Sequence, residues 1–224
     1  MSTDYRLHYA PDNASLAVRL ALEELDLPYD TALVDRSTRG QKAPAYLNLN
    51  PNGLIPALET PDGVMFETGA ILLWLADRHG GVFPAPDAPG RTRALSWLFW
   101  LANTYHPTLK SRFYPDQFPH ADPDRARMRL AELNDLAEAH LAPEAEALGV
   151  TILDCYLMPM LRWSMIYPAA DPAWTDLTRW PRLAALCARM EGRPSTRRLC
   201  IAEGLGAHPF TRPEHPNPPE GVAL

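Results

Sequence analysis

Two short segments in the first third of the chain carry residues suited to binding a small acidic peptide. In the first, Ile55-Pro56 follows the loop over residues 50–54 and enters a predicted strand. A cis X-Pro bond there would turn the Ile55 N–H and C=O outward, free to pair with an extended peptide. In the second, Glu67 and Thr68 begin a predicted helix, where backbone N–H groups and a hydroxyl favour a carboxylate. Together the two segments predict a socket for a small acidic peptide.

The elements that position these residues begin with a β-α-β unit. The alternation of Tyr5, Leu7 and Tyr9 with polar residues predicts a first strand. Apolar residues at helical spacing then predict an amphipathic helix that begins near Ser15. A second strand is predicted over residues 29–34. The crossover between the two strands implies that they are parallel.

Two further strands and a helix complete this part of the chain. Strands over 56–59 and 64–66 are joined by the tight-turn sequence Thr-Pro-Asp-Gly, so they are expected to pair antiparallel. A helix over 68–79 follows and is stopped by Gly80-Gly81. The order of elements predicts an α/β, thioredoxin-like unit over residues 1–81.

The second half of the chain reads as helical. The Pro/Gly-rich stretch over 82–90 predicts a linker, and an all-α domain is expected over 91–203. Within it, Thr151 and Asp154 fit a short-armed capping box at a helix start. Pro159 is expected to kink that helix. The proline-rich tail over 204–224 is predicted to be extended or disordered.

Composition narrows the function classes. The chain has 224 residues, a net charge of −6 and no basic run, which argues against nucleic acid as a partner. No apolar run approaches the ~20 residues of a membrane span, and the N-terminus lacks a secretory signal. The three cysteines are widely spaced, so reduced thiols in a cytoplasmic protein are expected. No metal site is predicted.

Three motifs carry a resemblance to a known family. NPNGLIPAL over 50–58, ETGAILLWLADRHG over 67–80 and TILDCYLMPMLRW over 151–163 occur in the order and spacing of the cytosolic glutathione S-transferases. The chain resembles the bacterial members more closely, with Trp74 in place of the usual tyrosine. The likeness covers roughly residues 5–204.

The resemblance implies a fold, a partner and roles for matching positions. It implies a thioredoxin-like domain followed by a helical domain, and usually a homodimer. Ile55, before the predicted cis-Pro56, would hydrogen-bond the cysteinyl backbone of glutathione. Glu67 and Thr68 would hold its γ-glutamyl amine and carboxylate. A structural turn at Pro56 and a plain helix start at Glu67 are the simpler alternatives.

Three more side chains are implied at the binding site with less specific signals. Arg39 would lie near the glycyl carboxylate, or else be a solvated loop charge. His106 would lie near the cleft, or else only end a helix turn. Trp163 would line a pocket for the second substrate or belong to the core. Trp97 and Trp100 are expected to be core residues, since aromatic residues at helical spacing usually are.

The residue that activates the thiol is left open by the sequence. The family places a Tyr, Ser or Cys near the first strand–helix junction, and here the cysteine position falls on Ala14. Chemistry through a protein thiol at this site is therefore not expected. Ser15 is the first candidate donor and Asn13 the second, ahead of the backbone N–H groups of the first helical turn. Ser15 could equally be an N-cap and Asn13 a turn residue. Asp12 would raise the thiol pKa unless it points away.

The resemblance predicts a cytoplasmic detoxification enzyme. It would bind glutathione as a co-substrate, stabilise the thiolate and conjugate it to a small hydrophobic electrophile. Two alternatives stay open at this point. One is a non-catalytic binding or interaction module with the same fold. The other is a different glutathione-dependent reaction, such as dehalogenation, ether cleavage or peroxide reduction.

Overall fold

A four-stranded mixed sheet forms the N-terminal part of the chain. The computed structural model describes residues 3–114, 117–118, 120, 122–143, 149–170 and 174–223. Within them the strands lie in the order β2-β1-β3-β4, where β1 is Arg6–Tyr9, β2 is Asp30–Leu33, β3 is Ala57–Thr60 and β4 is Gly63–Phe66. β1 pairs parallel with β2 and antiparallel with β3, and β3 pairs antiparallel with β4. The predicted pairings are confirmed.

Three helices accompany the sheet: α1 is Ser15–Glu24, α2 is Pro44–Leu47 and α3 is Thr68–His79. α3 has the predicted bounds and is followed by Gly80 at φ 73°, a conformation that glycine adopts without steric cost. β1 shows the predicted alternation, because Leu7 and Tyr9 are buried while Arg6 is exposed. The thioredoxin-like expectation is confirmed.

The second half of the chain is helical. Its helices are α4 Arg91–Trp100, α5 His106–Phe113, α6 Pro123–Leu136, α7 Ile152–Ile166, α8 Pro181–Glu191 and α9 Pro194–Glu203. Two π-helical turns, Leu101–Tyr105 and Ala137–Leu141, continue α4 and α6. After β4 the described residues contain no strand, as predicted. The residue numbers at which one domain ends and the next begins stay predictions.

One apolar core joins the two parts. Apolar side chains of β1, α1 and α3 belong to the same buried cluster as those of α4, α6, α7 and α8. α7 is buried along almost its whole length, and α1 packs against both α7 and α9. The N-terminus of α1 is therefore held between the sheet and the helical part.

α7 begins with the predicted capping box. The Thr151 N–H donates to Asp154 Oδ2 at 2.7 Å, and the Leu153 N–H donates to Thr151 Oγ1 at 3.2 Å. These bonds satisfy backbone donors that a helix start leaves unpaired. The helix continues past Pro159 to Ile166. The kink expected at Pro159 stays a prediction.

The C-terminal segment over 204–223 packs onto the protein without forming a helix or a strand. Phe210 is fully buried, and its N–H donates to Glu191 Oε1 at 2.8 Å. Near the end of the segment, Glu220 accepts a hydrogen bond from the Tyr9 hydroxyl of β1. The segment includes turns at 209–211, and the extended or disordered conformation expected from its prolines stays a prediction. Short-range sequence patterns hold no sign of these long-range contacts.

Candidate functional site

A cavity of about 440 Å³ opens between the sheet loops and the helical part. This size lies in the range of pockets that hold small molecules. Its walls come from the loop before α1, the loops after β2 and before β3, α5 and the segment after it, and α7. They are lined by Asp12, Asn13, Ala14, Arg36, Gln41, Lys42, Gly53, Leu54, Ile55, His106, Lys110, Phe113, Tyr114, Gln117 and Trp163.

The loop before β3 forms one wall and places Ile55 at the cavity. The Ile55–Pro56 peptide bond is cis, as predicted, and Pro56 is buried while Ile55 is half-buried. Gly53 has a φ of 58°, and a Cβ there would lie 2.8 Å from the Gln41 carbonyl oxygen. Only glycine allows this close approach of two chain segments. Gly53 thereby brings the loop after β2 against the loop before β3.

Asn13 lies at the rim of the cavity with one donor left for a ligand. Its Oδ1 accepts a hydrogen bond from Arg36 Nη1 at 3.0 Å, and its Nδ2 donates to the Pro11 carbonyl at 2.8 Å. An amide nitrogen carries two hydrogens, so a second N–H is available. Asn13 lies one residue before Ala14, the N-cap of α1, and its carbonyl accepts a hydrogen bond from the Leu16 N–H of the first turn at 2.8 Å.

Ser15, the first candidate from the sequence, does not line the cavity. It is fully buried, its Oγ donates to the Ala10 carbonyl at 3.1 Å, and the Ala10 N–H approaches Oγ at 3.4 Å. The alternative N-cap role is wrong, because Ala14 holds the N-cap position and no side chain caps α1. The hydrogen bonds between the Ser15 side chain and the Ala10 peptide group connect the end of β1 to the start of α1. The structure thus favours Asn13 over Ser15 as the donor.

Asp12 is a buried anchor. Both carboxylate oxygens are engaged: Arg162 donates to them through Nε at 2.9 Å and Nη2 at 3.1 Å, and Trp163 Nε1 and the Tyr167 hydroxyl each donate at 2.9 Å. The Asp12 N–H donates to Glu203 Oε2 at 2.9 Å. These contacts hold Asp12 at a φ of 52°, which is uncommon for a residue other than glycine. The carboxylate is neutralised by Arg162, so the conflict expected with a thiolate does not arise.

The helical wall contains His106 and Trp163, both predicted site residues. The ring centroids of these two residues are 5.8 Å apart, and His106 Nδ1 lies 3.1 Å from the Tyr156 hydroxyl. Burial, and secondarily the charge of Lys110, lowers the pKa of His106 to about 4. The imidazole is therefore neutral at neutral pH and offers hydrogen bonds rather than charge. Trp163 is 3% exposed and forms part of the cavity wall next to Asp12.

Glu67 and Thr68 lie at the N-terminus of α3, beside the cavity lining rather than within it. Glu67 has a φ of 70° and is exposed, whereas Thr68 is buried, with 6% of its surface exposed. Among the described residues the Thr68 hydroxyl has no hydrogen-bond partner. The Glu67 carboxylate adds to the effect of burial in raising the pKa of Tyr156, which contacts His106. Glu67 is thus electrostatically linked to the helical wall.

The cations that line the cavity are not the one proposed from the sequence. Arg39 is exposed and does not line the cavity. Arg36, Lys42 and Lys110 line it instead and were not predicted from the sequence. The spacing of His106 and Lys110 by one helical turn was an available signal. No local sequence pattern predicts the loop conformation that exposes Arg39 and turns Arg36 towards the cavity.

The remaining aromatic and thiol predictions concern structure rather than the site. Trp97 and Trp100 pack against the core with ring centroids 5.1 Å apart, as expected. The three cysteines are free, and Cys155 and Cys187 are buried. Among the described residues no group of His, Cys, Asp and Glu side chains could hold a metal ion. Within the same part of the chain, no helix is long and apolar enough to cross a membrane.

Comparison with known proteins identifies relatives along nearly the whole chain. Residues 14–78 match the family model of the glutathione S-transferase N-terminal domain. Glutathione S-transferase GST-4.5 of Xanthomonas campestris is 30% identical over 210 residues, which is 89% of this chain and 99% of that protein. The disulfide-bond oxidoreductase YfcG of Escherichia coli K12 is 29% identical over 218 residues, 89% of this chain and 96% of that protein.

A solved structure shows the same architecture. The glutathione transferase of Burkholderia graminis, crystallised with two glutathione molecules bound per subunit, superposes with a TM-score of 0.77 at 29% identity. The match covers 91% of this chain and 90% of that one. The cavity described above is therefore set in a fold shared with proteins that bind this tripeptide.

Proposed function

The chain belongs to the glutathione S-transferase family, and we propose from this premise that it binds glutathione in the cavity and conjugates it to a small electrophile. The observation that carries the proposal is the position of Asn13 and the α1 N-terminus. They lie in one cavity with Ile55 on one side and with His106 and Trp163 on the other. A peptide-binding edge, a thiolate-stabilising donor and an aromatic wall thus face the same space.

Glutathione would lie along the sheet side of the cavity. The Ile55 backbone pairs with the cysteinyl residue, as in peptide addition to a sheet edge. The Thr68 hydroxyl and the N-terminus of α3 hold the γ-glutamyl carboxylate, and Glu67 holds the γ-glutamyl amine. Lys42, with Nζ 3.0 Å from the Asn52 carbonyl, binds the glycyl carboxylate in place of Arg39.

Asn13 and the first turn of α1 would stabilise the thiolate. A thiol with a pKa of ~8.5 is mostly protonated at neutral pH and reacts poorly in that form. The free Asn13 N–H donates to the sulfur, and the partial positive charge at the helix N-terminus adds to this. The proton passes to solvent. Arg36 keeps the amide oriented through its bond to Oδ1.

The second substrate would lie against His106, Phe113 and Trp163. The thiolate attacks its electrophilic carbon, a C–S bond forms, and the leaving group departs with its electron pair. Trp163 forms the wall of this pocket, although its indole N–H is already bonded to Asp12. The neutral His106 adds no anion-binding charge.

A second candidate function is reduction of a disulfide by glutathione. It is favoured by the full-length similarity to the disulfide-bond oxidoreductase YfcG and by the two-glutathione structure from Burkholderia graminis. The glutathione thiolate would attack one sulfur of a substrate disulfide, so that the S–S bond breaks, a mixed disulfide forms and one substrate thiolate leaves. The thiolate of a second glutathione would then attack the glutathione sulfur of the mixed disulfide, releasing oxidised glutathione and the second substrate thiolate. No cysteine of this chain lines the cavity, so both thiols would come from glutathione. A binding module without catalysis is the remaining alternative.

We also propose that the protein is a cytoplasmic homodimer that acts in detoxification. The outer edge of β4 carries exposed Val64 and Phe66 beside unpaired backbone groups, and a second subunit would cover such an edge. Sedimentation equilibrium tests this part of the proposal. A mass of one chain at micromolar concentration would contradict it.

The experiment that tests the function joins binding to turnover. Isothermal titration calorimetry with glutathione measures the affinity, and a chlorodinitrobenzene assay measures conjugation. Binding with conjugation supports the transferase, and binding with turnover of a small disulfide alone supports the reductase. Binding without either supports the module, and absence of glutathione binding contradicts all three.

A further inference from the structure

We propose that the second substrate is an electrophile that carries an anionic group such as a carboxylate, and that Lys110 on α5 binds this group. The inference rests on the proposed function and names the substrate class of the same site. It follows from how the charged side chains around the cavity are paired.

Three cations line the cavity, and two of them have partners. Arg36 donates to Asn13 Oδ1 at 3.0 Å and contacts the Tyr114 hydroxyl at 3.5 Å. Lys42 donates to the Asn52 carbonyl at 3.0 Å. Both belong to the loop after β2, on the sheet side. Lys110 stands on the opposite wall and has no hydrogen-bond or ion-pair partner among the described residues.

Among the described residues that line the cavity, no free carboxylate could neutralise Lys110. Asp12 is the one acidic side chain among the lining residues that the structure describes, and its carboxylate already accepts hydrogen bonds from Arg162, Trp163 and Tyr167. The described part of the cavity therefore carries an excess of positive charge. An anionic ligand would relieve this excess, and a neutral one would leave it in place.

Lys110 lies where the second substrate would contact the helical wall. It is one turn after His106 on the same face of α5, and its charge contributes to the lowered pKa of that histidine. Lys110 is half-buried and lines the same cavity as Phe113 and Trp163. An aromatic ring against the apolar side chains would place a ring carboxylate within its reach.

The glutathione bound along the sheet side does not account for Lys110. The tripeptide has two carboxylates, and the γ-glutamyl one is assigned to Thr68 and the N-terminus of α3. The glycyl carboxylate is assigned to Lys42 on the sheet side. Lys110, across the cavity, is left for an anionic group of the second substrate, which this glutathione does not supply.

A matched pair of substrates tests the inference. In both 4-chloro-3-nitrobenzoate and 4-chloro-3-nitrobenzamide, the thiolate attacks the carbon that bears chlorine. A C–S bond forms, the C–Cl bond breaks, and chloride leaves with the electron pair. The two compounds have the same shape and differ in one negative charge, so their KM ratio reports on the anion site.

We expect the wild-type protein to prefer the benzoate in KM. Lys110→Met should raise the KM for the benzoate about 10-fold or more, the effect of losing a hydrogen bond to a charged group. The KM for the benzamide and for glutathione should change little, and Lys110→Arg should keep the preference. Lys42→Met is the matched control, which should raise the KM for glutathione and leave the benzoate-to-benzamide ratio unchanged.

Calorimetry with the two glutathione conjugates of these compounds reads the same preference without turnover. Preferential binding of the carboxylate conjugate, lost in Lys110→Met, supports the anion site even if the protein does not catalyse conjugation. Equal binding and equal KM values for the charged and neutral compounds would overturn the inference while leaving the proposed function intact. A preference that survives in Lys110→Met would also overturn it.

Discussion

Asn13 is the side chain on which thiol activation depends in this account. Its amide is fixed by Arg36 and Pro11 and keeps one N–H for the sulfur. Asn13→Ala should therefore lower kcat/KM about 10–100-fold at neutral pH, the worth of one hydrogen bond to a charged atom. The pH–rate profile should move to higher pH, because an unassisted thiol ionises later.

Ser15→Ala is the matched control for Asn13. The Ser15 hydroxyl is buried and bonds the Ala10 peptide group rather than the cavity. Its loss should lower stability by about 1 kcal/mol and leave the position of the pH–rate profile unchanged. A profile that shifts in Ser15→Ala and stays in place in Asn13→Ala would reverse the assignment.

Thr68 tests the binding of the γ-glutamyl end. Thr68→Ala should weaken glutathione binding by about 1.5–3 kcal/mol, since a hydrogen bond to a carboxylate is lost. Thr68→Ser keeps the hydroxyl and should bind almost as the wild type does. Isothermal titration calorimetry measures both. Equal affinity in the alanine variant would show that the hydroxyl does not contact the ligand.

His106 should stay neutral through the physiological range. Burial lowers its pKa to about 4 from an unfolded value of ~6.5, so the unfolded chain binds the proton more readily. Its contribution to stability is full above pH ~6.5 and is lost as the pH falls towards 4, by up to about 3 kcal/mol. An NMR titration that finds the His106 imidazole charged at pH 6 would contradict this.

At the residue scale, the sequence located what depends on local motifs. Short patterns predicted the cis bond at Ile55–Pro56 and the helix start at Thr68, while the roles of Ile55, Glu67 and Thr68 in binding stay predictions. The roles of Asp12 and Lys110 were not predicted, because each depends on residues far away in the chain. Arg162 is 150 residues from Asp12, and no local spacing could have paired them.

At the scale of elements, the Asp12–Arg162 pair joins α7 to the loop that carries Asn13. Arg162 also donates to the Pro209 and Glu214 carbonyls of the C-terminal segment, at 3.2 and 2.8 Å. Both side chains of the pair are fully buried. The pair therefore ties the strand–helix junction, the helical part and the C-terminal segment to one point.

Arg162→Met should be strongly destabilising. Removing one partner of a buried ion pair leaves an uncompensated charge and costs about 3–5 kcal/mol. Arg129→Met is a matched control, since Arg129 pairs with Glu132 at the surface, with 48% and 64% of the side chains exposed. It should change stability by no more than about 0.5 kcal/mol. Urea denaturation compares the two, and equal losses would refute the role given to Arg162.

The elements themselves were largely predictable because their periodicities are strong. The strand pairings, the bounds of α3 and the Thr151 capping box follow from local patterns and turn residues. The conformation at the N-terminus of α1 was not predictable from local patterns. Ala14 occupies the cap position, for which Ser15 was a candidate. Tertiary contacts at the Ala10 and Asp12 peptide groups decide the conformation of that junction.

At the scale of the whole molecule, the sheet, α1 and the helical part share one buried core. The cavity lies where they meet, so its shape depends on packing that no single motif encodes. Ile55, His106 and Trp163 were predicted from the sequence and line the cavity, whereas Arg36, Lys42 and Lys110 line it through this packing and were not predicted. The wrapping of residues 204–223 back onto β1 belongs to the same class of long-range feature.

The pKa of the glutathione thiol in the complex tests the central claim most directly. Ultraviolet difference titration of glutathione bound to the wild-type protein follows formation of the thiolate as the pH rises. The account predicts a bound thiol pKa about 2 units below the ~8.5 of a free thiol, a preference of about 2.7 kcal/mol for the thiolate. A thiol that binds saturably in the cavity and ionises at its free value would contradict the claim.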